Sequence, residues 1–160
     1  MKRLWAPWRM AYVGGAPAEA GCIFCTALAG ADDARAYVVC RRPAAFLILN
    51  AYPYTPGHLM AVPNRHVATL AEATAEEVGA TMALVAEATR ALIAEYRAEG
   101  FNIGINQGRV AGAGIEGHLH VHVVPRWNGD TNFMTSVGEA RVLPEALSRT
   151  WQRLRDRLGD

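Results

Sequence analysis

Apolar positions change period along the chain. Val78, Met82, Val85, Thr89, Leu92 and Tyr96 recur at three- and four-residue steps. That spacing predicts one amphipathic helix of about six turns. Thr74, with Glu77 three residues on, reads as a capping box at its start, and Gly100 as its stop. Leu147, Trp151, Leu154 and Leu158 mark a second helix near the C-terminus, with Pro144 near its first turn. Elsewhere the runs are short and β-rich: 37–41, 46–50, 58–62, 101–107 and 118–125. The loop between Asn50 and His58 carries two prolines and a glycine, so 46–62 reads as a hairpin with a long connection. Strands come in adjacent pairs rather than alternating with helices. This predicts an α+β fold with an antiparallel sheet, preceded by an aromatic, Gly- and Pro-rich arm over 1–21.

Composition narrows the classes. The chain has 160 residues, 51% hydrophobic and 19% charged, which suits one globular domain. Its 16 basic and 15 acidic residues leave a net charge of +1, which speaks against binding a nucleic-acid polymer through bulk positive charge. No run approaches 18 uninterrupted apolar residues, and arginine and proline break up the first ten positions. The expectation is therefore a cytoplasmic chain with no membrane span and no signal core. Three cysteines, an odd count, do not read as a disulfide framework.

Three of the five histidines fall within five residues: His118, His120 and His122. On a strand they line one face, and Leu119, Val121 and Val123 line the other. Imidazoles so arranged add little to packing. They suit either a metal site or nucleophilic attack on phosphorus, with neighbours orienting the nucleophile and the leaving group. The loop before them, Gly108 to Gly117, offers backbone N–H groups with few side chains in the way, a candidate anion nest. Gly112-Ala-Gly-Ile-Glu-Gly117 formally fits the dinucleotide fingerprint, but a strand follows where that motif needs a helix. Cys22-Ile-Phe-Cys25 has three readings: a redox pair, half of a metal site, or chance. Cys40, alone in a β run, reads as a packing residue.

His118-Leu-His-Val-His-Val-Val124 resembles the signature of the histidine triad family, in which three histidines alternate with hydrophobic residues. Phe46–Asn50, Pro56-Gly-His58, Val62-Pro-Asn-Arg-His66 and Asn102–Gln107 fall where that family has counterparts, so the resemblance covers about 22–134. Trp5-Ala-Pro-Trp-Arg9 and the segment from Pro125 to Met134 further resemble its bacterial diadenosine tetraphosphate phosphorylase-like branch. The implied architecture is a histidine-triad domain over 22–134, an antiparallel sheet with a long central helix, and a C-terminal helical extension over 135–160.

The resemblance also implies roles. His120 is the nucleophile that attacks the α-phosphorus of a nucleotide and forms a nucleotidyl-histidine. His122 contacts the phosphate or leaving group. Asn50, His58 and Gln107 contact the nucleotide. Many relatives place a side-chain hydroxyl just before the triad. This chain has Gly114-Ile-Glu-Gly117 there, so phosphate contacts would come from the backbone around Gly112, Gly114 and Ile115. Relatives with the same C-x-x-C complete a structural zinc site with two histidines, which places the ligands at Cys22, Cys25, His66 and His118. His118 then becomes structural rather than an acid/base group. The implied substrate is a dinucleoside polyphosphate, with phosphate or water as acceptor, no organic cofactor, and a homodimer. A nucleoside phosphoramidase and a non-catalytic nucleotide-binding module are the alternatives. Arg109 and Arg126 flank the triad segment and could add charge. Trp127 caps the core or borders the site.

Overall fold

The computed structural model describes residues 21–130 and 145–159. Trp5, Trp8 and Tyr12 of the arm, residues 131–134 and Pro144 lie outside the described residues. Strands β1 (Val38–Arg41), β2 (Ala45–Leu49), β3 (Leu59–Pro63), β4 (Gly100–Gly104) and β5 (Val121–Arg126) form one five-stranded sheet in the order β1-β2-β3-β5-β4. Every neighbouring pair is antiparallel. Helices α1 (Ile23–Ala29), α2 (Asp33–Ala36), α3 (Ala75–Tyr96) and α4 (Leu147–Leu158) complete the described fold. The sequence did not suggest α1 or α2, which are short and follow no apolar period.

Period-two alternation divides the sheet residues between two layers. Val39, Leu47, Leu49, Leu59, Ala61, Val121 and Val123 pack with Leu84 and Leu92 of α3 and with Leu154 and Leu158 of α4. Val38, Phe46, Ile48, Met60 and Val62 pack with Phe24 and Ala27 of α1. Each fully buried Val, Leu, Ile, Phe or Met side chain contributes roughly 1.5–3 kcal/mol. The C-terminal helix therefore belongs to the main core. It is also tied to β1 by the Trp151 indole N–H, which donates to the Val38 carbonyl at 2.8 Å.

The long helix starts as its sequence says. Thr74 Oγ1 accepts from the Glu77 amide, and the Glu77 carboxylate accepts from the Thr74 amide. It stops earlier than Gly100, however. Arg97 takes the left-handed cap conformation at φ 52°, its N–H bonded to the Ile93 carbonyl, and Gly100 opens β4 instead. The hairpin of β2 and β3 pairs Ala45 with Pro63 through Leu49 with Leu59. Its loop closes with the Asn50 N–H on the His58 carbonyl at 2.9 Å.

Two predictions arise here. Gly57 in that loop has φ +80°, and a Cβ would lie 2.6 Å from Leu92 Cδ2 in α3. Gly57→Ala is expected to cost roughly 1–3 kcal/mol, from backbone strain and overpacking together, read as a lower urea midpoint. The second concerns Arg65, which donates to both Glu77 oxygens at 2.7 and 2.8 Å. Chiefly through that contact, Glu77 is held at about 2, below its ordinary 4.5. A depressed carboxylate contributes stability above its unfolded value that is lost as pH falls toward the folded one. The stability gap between the wild type and Glu77→Gln should therefore be full at neutral pH and shrink between about pH 4.5 and 2. Denaturation midpoints across that range check it, and salt should narrow the gap at neutral pH.

Candidate active site and metal centre

The histidine segment departs in one respect from the strand expected over 118–125. The β5 ladder begins at Val121, so His118 and His120 precede it, outside the ladder. That segment is held by the Leu119 N–H on the Val67 carbonyl at 2.6 Å. The alternation of faces survives. Val121 and Val123 enter the core under α3, while His120 and His122 line a pocket on the other side. Their rings meet edge to face at 4.9 Å.

Hydrogen bonds assign the proton on each ring, because carbonyls accept and amides donate. His120 Nδ1–H donates to the His118 carbonyl at 2.8 Å, which leaves the lone pair on Nε2. Burial pushes the His120 pKa down, with the carbonyl contact opposing in part, so the neutral ring is favoured. The Tyr54 N–H donates to His58 Nδ1 at 3.2 Å. His58 must then present Nε2–H to His122 Nδ1, 3.0 Å away. His122 in turn carries its proton on Nε2. His58 cannot pass protons along this line, because the amide on its other nitrogen keeps its own. It fixes the tautomer of His122 instead.

His58 is fully buried behind His122 and does not line the pocket, contrary to its expected place against the nucleotide. The pocket, about 780 Å³, runs between α1 and β2 and is walled mainly by apolar groups such as Phe24, Ala27 and Ile48. Asn50, Gly112, Gly114 and Ile115 line it. Asn50 Oδ1 also accepts from the Tyr52 amide at 2.9 Å, so this residue is a turn former as well. Gln107 is elsewhere. It is exposed, and its Oε1 accepts from the Leu70 amide at 2.9 Å, while its neighbour Asn106 faces the pocket. Both residues lie beyond the end of β4, and the bond from the Leu70 amide holds the Gln107 side chain on the outside.

Arg126 is bound by Asp130 and Asn102, and Arg109 by Glu116. Trp127 caps the core, its indole N–H donating to the Tyr96 carbonyl at 3.0 Å. Sequence reasoning missed Tyr54, whose ring stacks on His58 at 4.8 Å and lines the pocket. Only an aromatic in a Pro-rich loop hinted at it. Phe24 was also missed, although it sits inside the cysteine motif.

Cys22, Cys25, His66 and His118 come together, with one potential ligand atom from each lying within 4.8 Å of the others. Cys22 caps α1 and Cys25 lies in its first turn, so one helix start presents both sulfurs. His118 Nε2–H donates to the Pro63 carbonyl at 2.8 Å, which leaves Nδ1 as the ligating atom. That Nδ1 lies 3.2 Å from Cys22 Sγ and 3.6 Å from Cys25 Sγ, and His66 Nδ1 lies 3.3 Å from Cys25 Sγ. Donors about 2.0–2.3 Å from one tetrahedral ion are spaced in this way. The carbonyl behind His118 is the outer partner that metal-bound histidines commonly have. The four residues fit a closed metal site.

The HIT domain family matches residues 32–129. A Mycobacterium tuberculosis protein named AP-4-A phosphorylase is 42% identical over 158 residues, spanning 94% of this chain and 80% of its own length. The crystal structure of a Zn-bound histidine triad family protein from Mycobacterium smegmatis superposes with a TM-score of 0.71 at 30% identity, over 86% of this chain and 92% of that one. A hypothetical histidine triad nucleotide-binding protein from Sulfolobus tokodaii gives 0.68 at 26% identity, over 85% and 91%. With the triad, the five-stranded antiparallel sheet and these matches in hand, the chain belongs to the HIT domain family, the histidine triad proteins.

Proposed function

We propose that the protein is a nucleotidyl transferase that cleaves dinucleoside polyphosphates, diadenosine tetraphosphate among them, at the α-phosphorus. The observation that carries this reading is the His120 ring. It is buried and neutral, its Nδ1–H is committed to the His118 carbonyl, and its Nε2 lone pair serves a pocket large enough for a nucleoside. In the first step His120 Nε2 forms a bond to the α-phosphorus, and the bond from phosphorus to the bridging oxygen breaks. The electron pair leaves with the polyphosphate, whose oxygen takes a hydrogen bond from His122 Nε2–H. The ring of the adduct gains positive charge, and the His118 carbonyl on Nδ1–H is placed to stabilise it. In the second step an acceptor oxygen attacks phosphorus and the bond to nitrogen breaks, restoring His120.

Asn50 and the apolar walls hold the nucleoside, and the backbone at Gly112, Gly114 and Ile115 holds phosphate oxygens. Asn106, rather than Gln107, supplies an amide on the pocket side. Inorganic phosphate is the acceptor we favour, in line with the name of the M. tuberculosis relative. The metal we assign to the four-ligand site is zinc, which would hold the histidine segment against α1. We also assign the chain to a cytoplasmic homodimer. Exposed Met82 and Ile93 on α3 and Ile103 on β4 support a second copy there. Among the described residues, no helix is long and apolar enough to cross a membrane.

Chromatography of products from diadenosine tetraphosphate across a phosphate titration tests the acceptor. The expected products at saturating phosphate are adenosine diphosphate and triphosphate. Monophosphate and triphosphate alone, at every phosphate concentration, would make the protein a hydrolase.

A further inference from the structure

Each metal ligand lies one short step from the nucleophile, and the steps converge on a single peptide unit and a single ring. The peptide between His118 and Leu119 is held from both sides. Its carbonyl accepts His120 Nδ1–H at 2.8 Å, and its N–H donates to the Val67 carbonyl at 2.6 Å. His118 is itself a ligand, and Val67 directly follows the ligand His66. The two cysteines act from the other direction. Between them sits Phe24, fully buried, its ring 5.4 Å from His118 and 5.1 Å from His120. A simple staple for the N-terminal segment would need none of these links to reach His120.

We infer that the metal centre is a positioning device for the nucleophile: by joining His66, His118 and the cysteine turn, it fixes the His118–Leu119 peptide and the Phe24 ring, and so holds His120 with Nε2 toward the pocket. Without that hold, the His118 carbonyl is free to turn. The imidazole can then flip, or move its proton to Nε2, and either change removes the attacking lone pair from the pocket. Phe24 is a positioning residue in this account as well as a wall of the pocket. The inference rests on His120 being the nucleophile, but its central readout does not require turnover.

The test is nitrogen NMR of the imidazoles in the full chain, comparing zinc-loaded protein, protein stripped by a chelator, and zinc-loaded Phe24→Leu. Zinc content and amide-resonance dispersion are measured on each sample. The zinc-loaded wild type should show His120 as one tautomer, with the proton on Nδ1. Stripped protein that keeps its dispersed spectrum should show both tautomers in exchange, reverting when zinc is restored. Phe24→Leu, still carrying zinc, should show the same mixture and form the nucleotidyl adduct about tenfold more slowly in a single turnover, an effect of about 1.4 kcal/mol on the barrier. A single Nδ1–H tautomer in both the stripped protein and Phe24→Leu would overturn the inference. If stripping unfolds the chain, Phe24→Leu decides alone, and an unchanged tautomer there is equally fatal. A mixture that appears as expected, in a protein that forms no adduct from diadenosine tetraphosphate, would leave the positioning device standing and remove the proposed function.

Discussion

His120→Ala should reduce turnover of diadenosine tetraphosphate by roughly a thousandfold or more, the scale seen when a covalent nucleophile is deleted. No other described group can take over. His118 has Nε2–H on the Pro63 carbonyl and Nδ1 against the cysteine sulfurs. His122 has Nδ1 occupied by His58 and its proton on Nε2, which makes it a donor rather than an attacker. Nucleotide binding should survive, because Asn50, Ile48 and the loop glycines that line the pocket are untouched. The measurements are steady-state turnover, equilibrium binding of adenosine monophosphate, and mass spectrometry of the protein after mixing with substrate. The wild type should gain one adenylyl group, labile in acid as a phosphoramidate is, and the variant none. Near-normal turnover in His120→Ala would end the covalent mechanism.

Replacing a cysteine of the metal site should have the other large effect, on stability. Cys22→Ala or Cys25→Ala leaves three ligands, and a closed structural site needs four. A metal held at a thousand times its dissociation constant stabilises the folded state by about 4 kcal/mol. Losing that much should lower the melting temperature by roughly 10 °C in a chain of this length. Calorimetry and elemental analysis on the same samples check it. The wild type should carry about one zinc per chain and each variant much less. Full metal content in Cys22→Ala, with an unchanged melting temperature, would remove Cys22 from the site. Cys40→Ala is the control. This buried thiol lies in the core beside Leu47 and touches no metal ligand, so its loss leaves the zinc content unchanged.

Much of this protein is legible before any coordinates. Period 3.6 in residues 78–96 and period 2 in 118–124 report burial on one side of a helix and of an extended segment, and backbone geometry fixes those periods locally. The capping box is local too, as all its partners lie within three residues. Family membership could likewise be read from the spacing of three histidines and the blocks around them, and the family and structural matches bear it out. Local pattern was weaker at the ends of elements. Arg97 ends α3 in a left-handed conformation that glycine would more often take, and β5 starts three residues after the first histidine of the triad.

What the sequence by itself determined is therefore the α+β class, the antiparallel pairing and the histidine row, and, through the family resemblance, Cys22, Cys25, His66 and His118 as one ligand set. Tertiary structure alone decided what each ring does. A histidine's tautomer depends on which carbonyl or amide meets it from a distant segment: Pro63 for His118, and the Tyr54 loop through His58 for His122. Whether Asn106 or Gln107 faces the pocket depends on how the end of β4 sits against the neighbouring loop, where Leu70 takes the Gln107 side chain. That Phe24 touches both a metal ligand and the nucleophile follows from α1 crossing the face of the sheet, with 94 and 96 residues separating the partners along the chain. Periodicity records the average environment of a side chain, inside or outside. Hydrogen bonds and ring contacts between segments far apart in sequence depend on where those segments meet in space, and only the folded chain brings them together.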